Sequence, residues 1–202
     1  MMRLSTVRRK DLLMNTKHQS PDSQRMRTRN LVLCGMLTVL IVICSYITIP
    51  FVVPITLQTF AIAFLLLLIG GKRGLICIAL YLLLGACGIP VFHGMTGGPG
   101  ILFGNTGGYL FGFLAMGMIY LLFTFGQKVP LWRKSIGLII GLLSCYLIGT
   151  LWFAFFYIEG PIHSAIAEVL LTCVIPFILP DLIKISFAIF LARIVGKTLP
   201  KN

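Results

Sequence analysis

Two oppositely charged side chains, Asp181 and Lys184, stand inside an apolar stretch of the sequence. Their spacing of three residues places them on one face of a helix. An ionisable residue inside a membrane segment costs about 2.5–3.5 kcal/mol on insertion scales and therefore indicates a functional site. Because Pro180 precedes the pair, we expect it in the first turn of the last helix, where free backbone N–H groups favour an anion. The alternative is a pair that only neutralises itself near the membrane interface.

A glycine-rich segment, "GGPGILFGNTGGYLFGF" at residues 97–113, carries no charge. A phosphate-binding loop of the G-x-x-x-x-G-K-[ST] type needs a lysine, which this segment lacks. Gly97 and Gly98 would let its backbone approach a ligand closely. The alternative is that glycines such as Gly108 and Gly112 let the third and fourth membrane spans pack closely.

Uncharged polar side chains accompany both features. Asn105, Thr106 and Tyr109 offer hydrogen-bonding groups within the glycine-rich segment. Gln58 is a lone polar group on an apolar helix, and it could contact either a ligand or a neighbouring helix. A pocket built from these groups and the charged pair would be small, mostly apolar and able to hold one anionic group. Such pockets suit a small amphipathic metabolite.

Other chemistries lack their signatures. His93, His163, Glu159 and Glu168 show no metal-ligand spacing. G-x-S-x-G, H-E-x-x-H and Walker motifs are all missing, so the sequence predicts neither an enzyme, nor a metal or other cofactor, nor ATP use by this chain alone. The cysteines all fall in apolar segments without C-x-x-C spacing, and we expect them to be buried and unpaired.

The composition predicts an all-α membrane protein. Of the 202 residues, 58% are hydrophobic and 11% are charged, and the mean hydropathy is +1.00. A soluble domain has about 25% charged residues. Apolar runs predict six transmembrane helices, at residues 31–49, 55–71, 74–91, 107–126, 135–158 and 180–197.

Two apolar connections between these spans have unusual sequences. Residues 161–178, bracketed by prolines, predict a short outer or re-entrant helix before the last span. Residues 50–58 contain Pro50 and Pro54 and form the first outer loop, which could be a lid over the outer surface or simply a tight connector.

The basic residues predict the orientation. Of the 17 lysines and arginines, 16 lie in the N-terminal tail, in alternate loops or at the C-terminus, with Lys184 as the exception. This distribution follows the positive-inside rule, so we expect a multi-pass protein of the cell membrane with both termini in the cytoplasm. It also argues against the interpretation that the net charge of +12 serves to bind nucleic acid. Residues 1–30 are polar and basic, which predicts a disordered tail before a single six-helix domain at 31–200.

Three motifs resemble those of the BioY family. "TGGPGILFGNTGGYLFGF" at 96–113 resembles its glycine-rich signature, "VPITLQTF" at 53–60 its second-span entrance, and "ILPDLIK" at 178–184 its final motif. They occur in the family's order, over about residues 26–200. Departures include Asn105 for a proline and Pro180 for a glycine.

BioY proteins are the biotin-binding S components of energy-coupling-factor (ECF) transporters. The resemblance implies six membrane helices, an outward substrate cavity and the lipid bilayer as surroundings. It also implies partner proteins, namely a transmembrane coupling protein and two cytoplasmic ATPases. The family's small-residue contact face on span one corresponds to Gly35 and Val39 here.

The residues themselves leave two alternatives to biotin capture. One is an S component for a different small metabolite, since spacing does not distinguish one vitamin from another. The other is a membrane packing or assembly protein whose glycines serve only close helix contacts.

Overall fold

The structure is a computed structural model that describes residues 21–50, 53–126, 129–157, 170–171 and 174–198. Within these ranges the chain is mostly helical, because an apolar segment in a membrane must satisfy its backbone hydrogen bonds internally. The elements are α1 (Pro21–Tyr46), β1 (Thr48–Ile49), β2 (Ile55–Thr56), α2 (Gln58–Ile69), α3 (Gly71–Ala86), a 3₁₀ turn (His93–Met95), α4 (Pro99–Leu102), α5 (Gly107–Phe123), α6 (Leu131–Tyr157) and α7 (Ile175–Thr198).

Three of these helices contain segments that are long and apolar enough to cross a membrane, namely Gln24–Tyr46, Leu131–Phe156 and Ile175–Lys197. Two further apolar helices, α2 and α5, have 12 and 17 residues. At a rise of about 1.5 Å per residue, α2 is about 18 Å long, which is shorter than the hydrocarbon core of a bilayer. The helical membrane class is therefore confirmed, whereas the count of six spans stays a prediction.

The first helix begins earlier than expected. It starts at Pro21, so residues 21–30, which we expected to be disordered, are helical. A proline at the first helical position loses no hydrogen bond, and no glycine or second proline interrupts the ten residues that follow. The chain divides into two compact units, residues 1–33 and 34–202. The first contains the start of α1, and the second contains all the elements from β1 onward.

The last helix also begins earlier than expected. It starts at Ile175, so Pro180 lies inside the helix and the prediction that it stands in the first turn was wrong. An interior proline removes one backbone hydrogen bond, a loss that neighbouring groups offset in membrane helices. The charged pair is therefore not at a helix N-terminus. The re-entrant helix predicted at 161–178 lies largely outside the described residues.

The closest packing involves α5 and α6. A Cβ placed on Gly112 would lie 2.9 Å from the Cα of Cys145, and one on Gly108 would lie 2.3 Å from the Cβ of Trp152. These glycines therefore serve close packing, but against the helix of the fifth predicted span and not the third. The sequence showed that this face of α5 carries small residues, but it could not show which helix packs against it.

The expectation that all the cysteines are unpaired was also wrong. Cys34 on α1 and Cys77 on α3 form a disulfide, with Cα atoms 5.8 Å apart and a sequence separation of 43. Spacing rules detect only cysteines that are close in sequence, and this pair is brought together by packing between two helices. Cys44 and Cys145 are free and buried, as predicted, whereas Cys87 is free but exposed.

Candidate binding site

A cavity lies among β2, α2, α5, α6 and α7, and its empty volume, open mouth included, is about 580 Å³. Its apolar wall includes Leu110, Phe113, Leu142 and Phe177. Five residues predicted from the sequence line it as well, namely Gln58, Thr106, Tyr109, Asp181 and Lys184. A few polar groups on an apolar wall are typical of small-molecule sites.

The charged pair is buried at this cavity. The side chain of Asp181 is 2% exposed and that of Lys184 is 10% exposed. The Nζ of Lys184 donates to Oδ1 of Asp181 at 2.7 Å, and the hydroxyl of Tyr146 donates to Oδ2 at 2.5 Å. Hydrogen bonds to a carboxylate are short and strong, and a buried charge needs such partners. The carboxylate of Asp181 therefore accepts one hydrogen bond from Lys184 on its own helix and one from Tyr146 on α6.

Gln58 is held by two neighbours. Its Nε2 donates to the hydroxyl of Tyr81 on α3 at 2.5 Å, and its Oε1 accepts from Oγ1 of Thr56 at 3.0 Å. Both Gln58 and Thr56 line the cavity. The sequence left open whether Gln58 contacts a ligand or a neighbouring helix. The structure shows the helix contact, and it also places the amide where a ligand would reach it.

The glycine-rich segment contributes side chains to the cavity only at its second half. Thr106, which is 8% exposed, lies just before α5, and Tyr109 lies in its first turn. Asn105 is exposed and does not line the cavity.

Gly97 and Gly98 also lie away from the cavity lining. A Cβ on Gly97 would lie 2.3 Å from the carbonyl oxygen of Ile89. Gly98 has a φ of 100° and donates its N–H to the carbonyl of Gly85 at 2.7 Å. Both glycines thus let the segment pack against residues 85–89, at and just after the end of α3.

The first outer loop forms one wall of the cavity. Its strands β1 and β2 pair antiparallel, with Thr48 opposite Thr56. Val53 and Pro54, between these strands, line the cavity. Phe51 and Val52 are outside the described residues. The loop therefore bounds one side of the cavity.

Among the cavity residues that the sequence analysis missed, Tyr146 and His93 have polar side chains that could matter for binding. Tyr146 is the more important, because its hydroxyl fixes Asp181. A tyrosine in the middle of an apolar helix needs a partner for its hydroxyl, and that requirement was the available signal. His93, which we considered only as a metal ligand, also lines the cavity, and burial lowers its pKa.

The residues expected to contact a partner protein lie elsewhere. Gly35 and Val39 are on α1 and do not line the cavity. Val39 is 56% exposed, and no atom of the described residues would lie within 4 Å of a Cβ on Gly35. This helix face is therefore open.

Comparison with known proteins supports the resemblance seen in the motifs. The model of the BioY family matches residues 14–201. The biotin transporter BioY of Thermotoga maritima is 36% identical over 165 residues, which cover 81% of this chain and 94% of that protein. The probable biotin transporter BioY of Pyrococcus horikoshii is 37% identical over 147 residues, which cover 72% of this chain and 83% of that protein.

A solved structure is similar as well. It is the crystal structure at 2.1 Å of the S-component for biotin from an ECF-type ABC transporter, with a TM-score of 0.73 and 26% identity. The match covers 86% of this chain and 93% of that one. The family match extends over almost the whole chain and agrees with the motif order, and on these grounds the chain belongs to the BioY family.

Proposed function

We propose that this protein is the substrate-capture component of a vitamin uptake transporter and that it binds biotin in the cavity described above. The observation that carries the proposal is the buried cluster of Asp181, Lys184 and Tyr146 on an otherwise apolar cavity wall. The relatives named as biotin transporters supply the identity of the ligand.

The chemistry of biotin matches the groups at the cavity. Its thioether ring is apolar and would pack against Phe113, Leu142 and Phe177. Its valerate carboxylate would accept a hydrogen bond from Lys184, whose ammonium has three donors and uses one of them on Asp181. Its ureido ring has two N–H donors and one acceptor, for which Thr106 and Gln58 are available at the same cavity.

Asp181 could either accept hydrogen bonds from the ureido N–H groups of biotin or hold Lys184 in place. The hydrogen bonds support the second, because each carboxylate oxygen already receives one donor. Asp181 is then a positioning residue that keeps the Lys184 ammonium aimed at the cavity. A carboxylate oxygen retains a further lone pair, so a weaker contact with the ureido ring is compatible with this role.

The cavity opens to the outside in this proposal, with both termini in the cytoplasm and the chain in the cell membrane. The asymmetry of the basic residues supports this orientation. In a background without other cysteines, Thr96→Cys should react with an impermeant thiol reagent added to intact cells, whereas Lys72→Cys should not. Outside labelling at position 72 would reverse the orientation.

Energy for transport would come from partners, a transmembrane coupling protein and two cytoplasmic ATPases. The open face of α1 supports a helix contact there. Gly35, Val39 and Ile43 follow one another at intervals of four residues, and all three are exposed. Small and β-branched residues at this spacing let another helix approach closely in a membrane.

The decisive experiment is equilibrium binding of labelled biotin to the purified chain in detergent. Lys184→Met removes a hydrogen bond from a charged donor, which is worth about 1.5–3 kcal/mol, so binding should weaken by roughly 10- to 100-fold. Biotin amide has no anion, and it should bind the parent chain less tightly and lose little more in the variant.

The outcomes are separated by measuring the binding of biotin and of biotin amide to both the parent chain and Lys184→Met. Equal losses for the two ligands would show that Lys184 does not contact the carboxylate. Saturable binding of another vitamin in place of biotin would indicate an S component with a different substrate. No saturable binding of either, with a folded chain, would contradict the proposed function itself.

A further inference from the structure

A second cleft lies at the opposite ends of the helices that form the cavity. The helix α2 begins at Gln58 beside the cavity and ends at Ile69 beside this cleft. The helix α5 likewise runs from the cavity to Phe123, next to the cleft. The empty volume of the cleft, open mouth included, is about 1250 Å³. We call it the basic cleft, because Lys72, Arg73 and Lys134 line it.

A tight turn brings backbone donors to the basic cleft. Gly70 has a φ of 83°, and α3 begins at the next residue. The first hydrogen bond of this helix runs from the N–H of Gly74 to the carbonyl of Gly70, at 2.9 Å. The backbone N–H groups of residues 71–73 therefore precede the hydrogen-bonded part of α3, which leaves them without acceptors within the helix. Such a set of N–H groups favours an anion.

The turn is held in place by close packing. A Cβ on Gly71 would lie 2.7 Å from the Cα of Leu121, so only glycine allows the start of α3 to meet the end of α5. Gly71, Lys72 and Arg73 all line the cleft. The backbone donors at the start of α3 are consequently fixed relative to α5.

The cations of the basic cleft have no acidic partner among the residues whose side chains the structure describes. Asp181 is the only acidic residue in that set, and it pairs with Lys184 at the cavity. The whole sequence has 17 basic residues and 5 acidic ones. Most basic side chains must therefore find counter-charge outside the chain.

Large apolar side chains adjoin these cations. The Nζ of Lys72 lies 5.6 Å from the ring centre of Phe125, which is 70% exposed. Leu122 and Trp132, which line a separate and mostly apolar groove together with Arg133, are 70% and 65% exposed. Exposed tryptophan next to lysine is typical of the interface between membrane and water. A soluble anion would use only the cations, whereas an amphiphile with an anionic head would use both surfaces.

We propose that the basic cleft binds one anionic phospholipid. Its phosphodiester lies at the start of α3, between the side chains of Lys72, Arg73 and Lys134. Its acyl chains run along the exposed surface of Leu122 and Trp132. The charge complementarity carries this assignment, because three cations and the backbone donors of α3 line one cleft, and the residues of the apolar groove are neighbours of the cleft residues along α5 and α6.

The test compares two double variants that remove the same charge. Lys72→Gln/Lys134→Gln alters the basic cleft, and Arg193→Gln/Lys197→Gln alters exposed cations near the end of α7, outside the cleft. Each purified full-length chain is placed in mixed micelles with phosphatidylglycerol or phosphatidylcholine, and retained lipid is quantified by native mass spectrometry. The unfolding temperature in phosphatidylcholine alone checks that each variant is folded.

The parent and the α7 variant should retain phosphatidylglycerol in preference to phosphatidylcholine. One basic residue near a membrane surface contributes roughly 5-fold to the binding of anionic lipid, so the cleft variant should lose about 25-fold of that preference. Glycerol 3-phosphate, which has the anion but no acyl chains, should not displace the lipid at matched concentration.

Equal losses in the two variants would overturn the proposal, because net charge would then explain binding. Displacement by glycerol 3-phosphate as effective as that by phosphatidylglycerol would also overturn it, in favour of a soluble phosphate ester. An unchanged lipid preference in the cleft variant would leave an acidic partner protein as the occupant and exclude the lipid. None of these outcomes depends on biotin binding, so the proposal stands or fails separately from the proposed function.

Discussion

The charged side chains at the two ends of α2 and α5 are balanced in different ways. At the cavity, Lys184 is buried and receives its counter-charge from Asp181 on the same helix. At the basic cleft, Lys72 and Arg73 are exposed and meet no described acidic side chain. A buried charge must be paired within the protein, because desolvation is otherwise too costly, whereas a charge at an interface can use outside groups. The cavity therefore carries its own counter-charge, whereas the described residues supply none to the cations of the cleft.

The largest expected effect tests this difference in pairing. Asp181→Asn leaves the buried ammonium of Lys184 without a counter-charge, and breaking such a pair costs about 3–5 kcal/mol. Lys72→Gln, at the exposed end, should change the free energy of unfolding by less than about 0.5 kcal/mol. Denaturation of the ligand-free chain in a neutral detergent measures both.

The double variant Asp181→Asn/Lys184→Met provides the control, since it removes both charges and should regain part of the lost stability. Similar losses for Asp181→Asn and Lys72→Gln would mean that the two ends do not differ in how their charges are balanced.

The second effect concerns packing, at a covered glycine of α5 and an open glycine of α1. A methyl group added by Gly112→Ala would meet the Sγ and Cα of Cys145 at 2.7 and 2.9 Å, so overpacking should cost about 1–3 kcal/mol. Gly35→Ala adds a methyl group to open space on α1 and should be neutral or stabilise the helix by up to about 1 kcal/mol. Thermal unfolding compares them, and a loss at Gly35 as large as at Gly112 would show that this face of α1 is already covered within the chain.

A smaller effect is expected for the hydroxyl groups at the cavity. Thr106→Val and Tyr109→Phe each remove one hydrogen-bonding group with little change of shape. If the group contacts biotin, the loss should be about 0.5–1.5 kcal/mol, or roughly 2- to 10-fold in the dissociation constant. Asn105→Ala, at an exposed position off the cavity, is the matched control. Unchanged binding in both hydroxyl variants would show that neither hydroxyl contacts biotin.

The smallest expected effect is a pH dependence from His93. Burial lowers the pKa of His93, so the folded chain resists protonation, while the unfolded chain takes up a proton near pH 6.5. Stability should therefore fall as the pH drops through about 6.5 and level off below the folded pKa. His93→Gln should flatten that part of the profile in thermal unfolding scans between pH 7.5 and 5. An unaltered profile would show that His93 is as accessible to protons as an ordinary histidine.

Much of the site was predictable because membrane energetics restrict where polar residues occur. Lys184 and Asp181 were identified as charges inside an apolar segment, and the motif order indicated the family before any fold was known. Gln58 and Tyr109 were predicted on similar grounds, and the structure places both at the cavity. The role of each in binding remains a prediction.

The sequence by itself determined the class of protein, the small set of polar groups for a site and the separation of basic from apolar segments, because all three follow from composition and order along the chain. Only the tertiary structure decided which groups meet. It paired Tyr146 with Asp181 across 35 residues, joined Cys34 to Cys77, and turned Gly108 and Gly112 towards α6. Such contacts depend on how helices rotate and approach each other, and a single helix sequence specifies its own faces without specifying the helix that covers them.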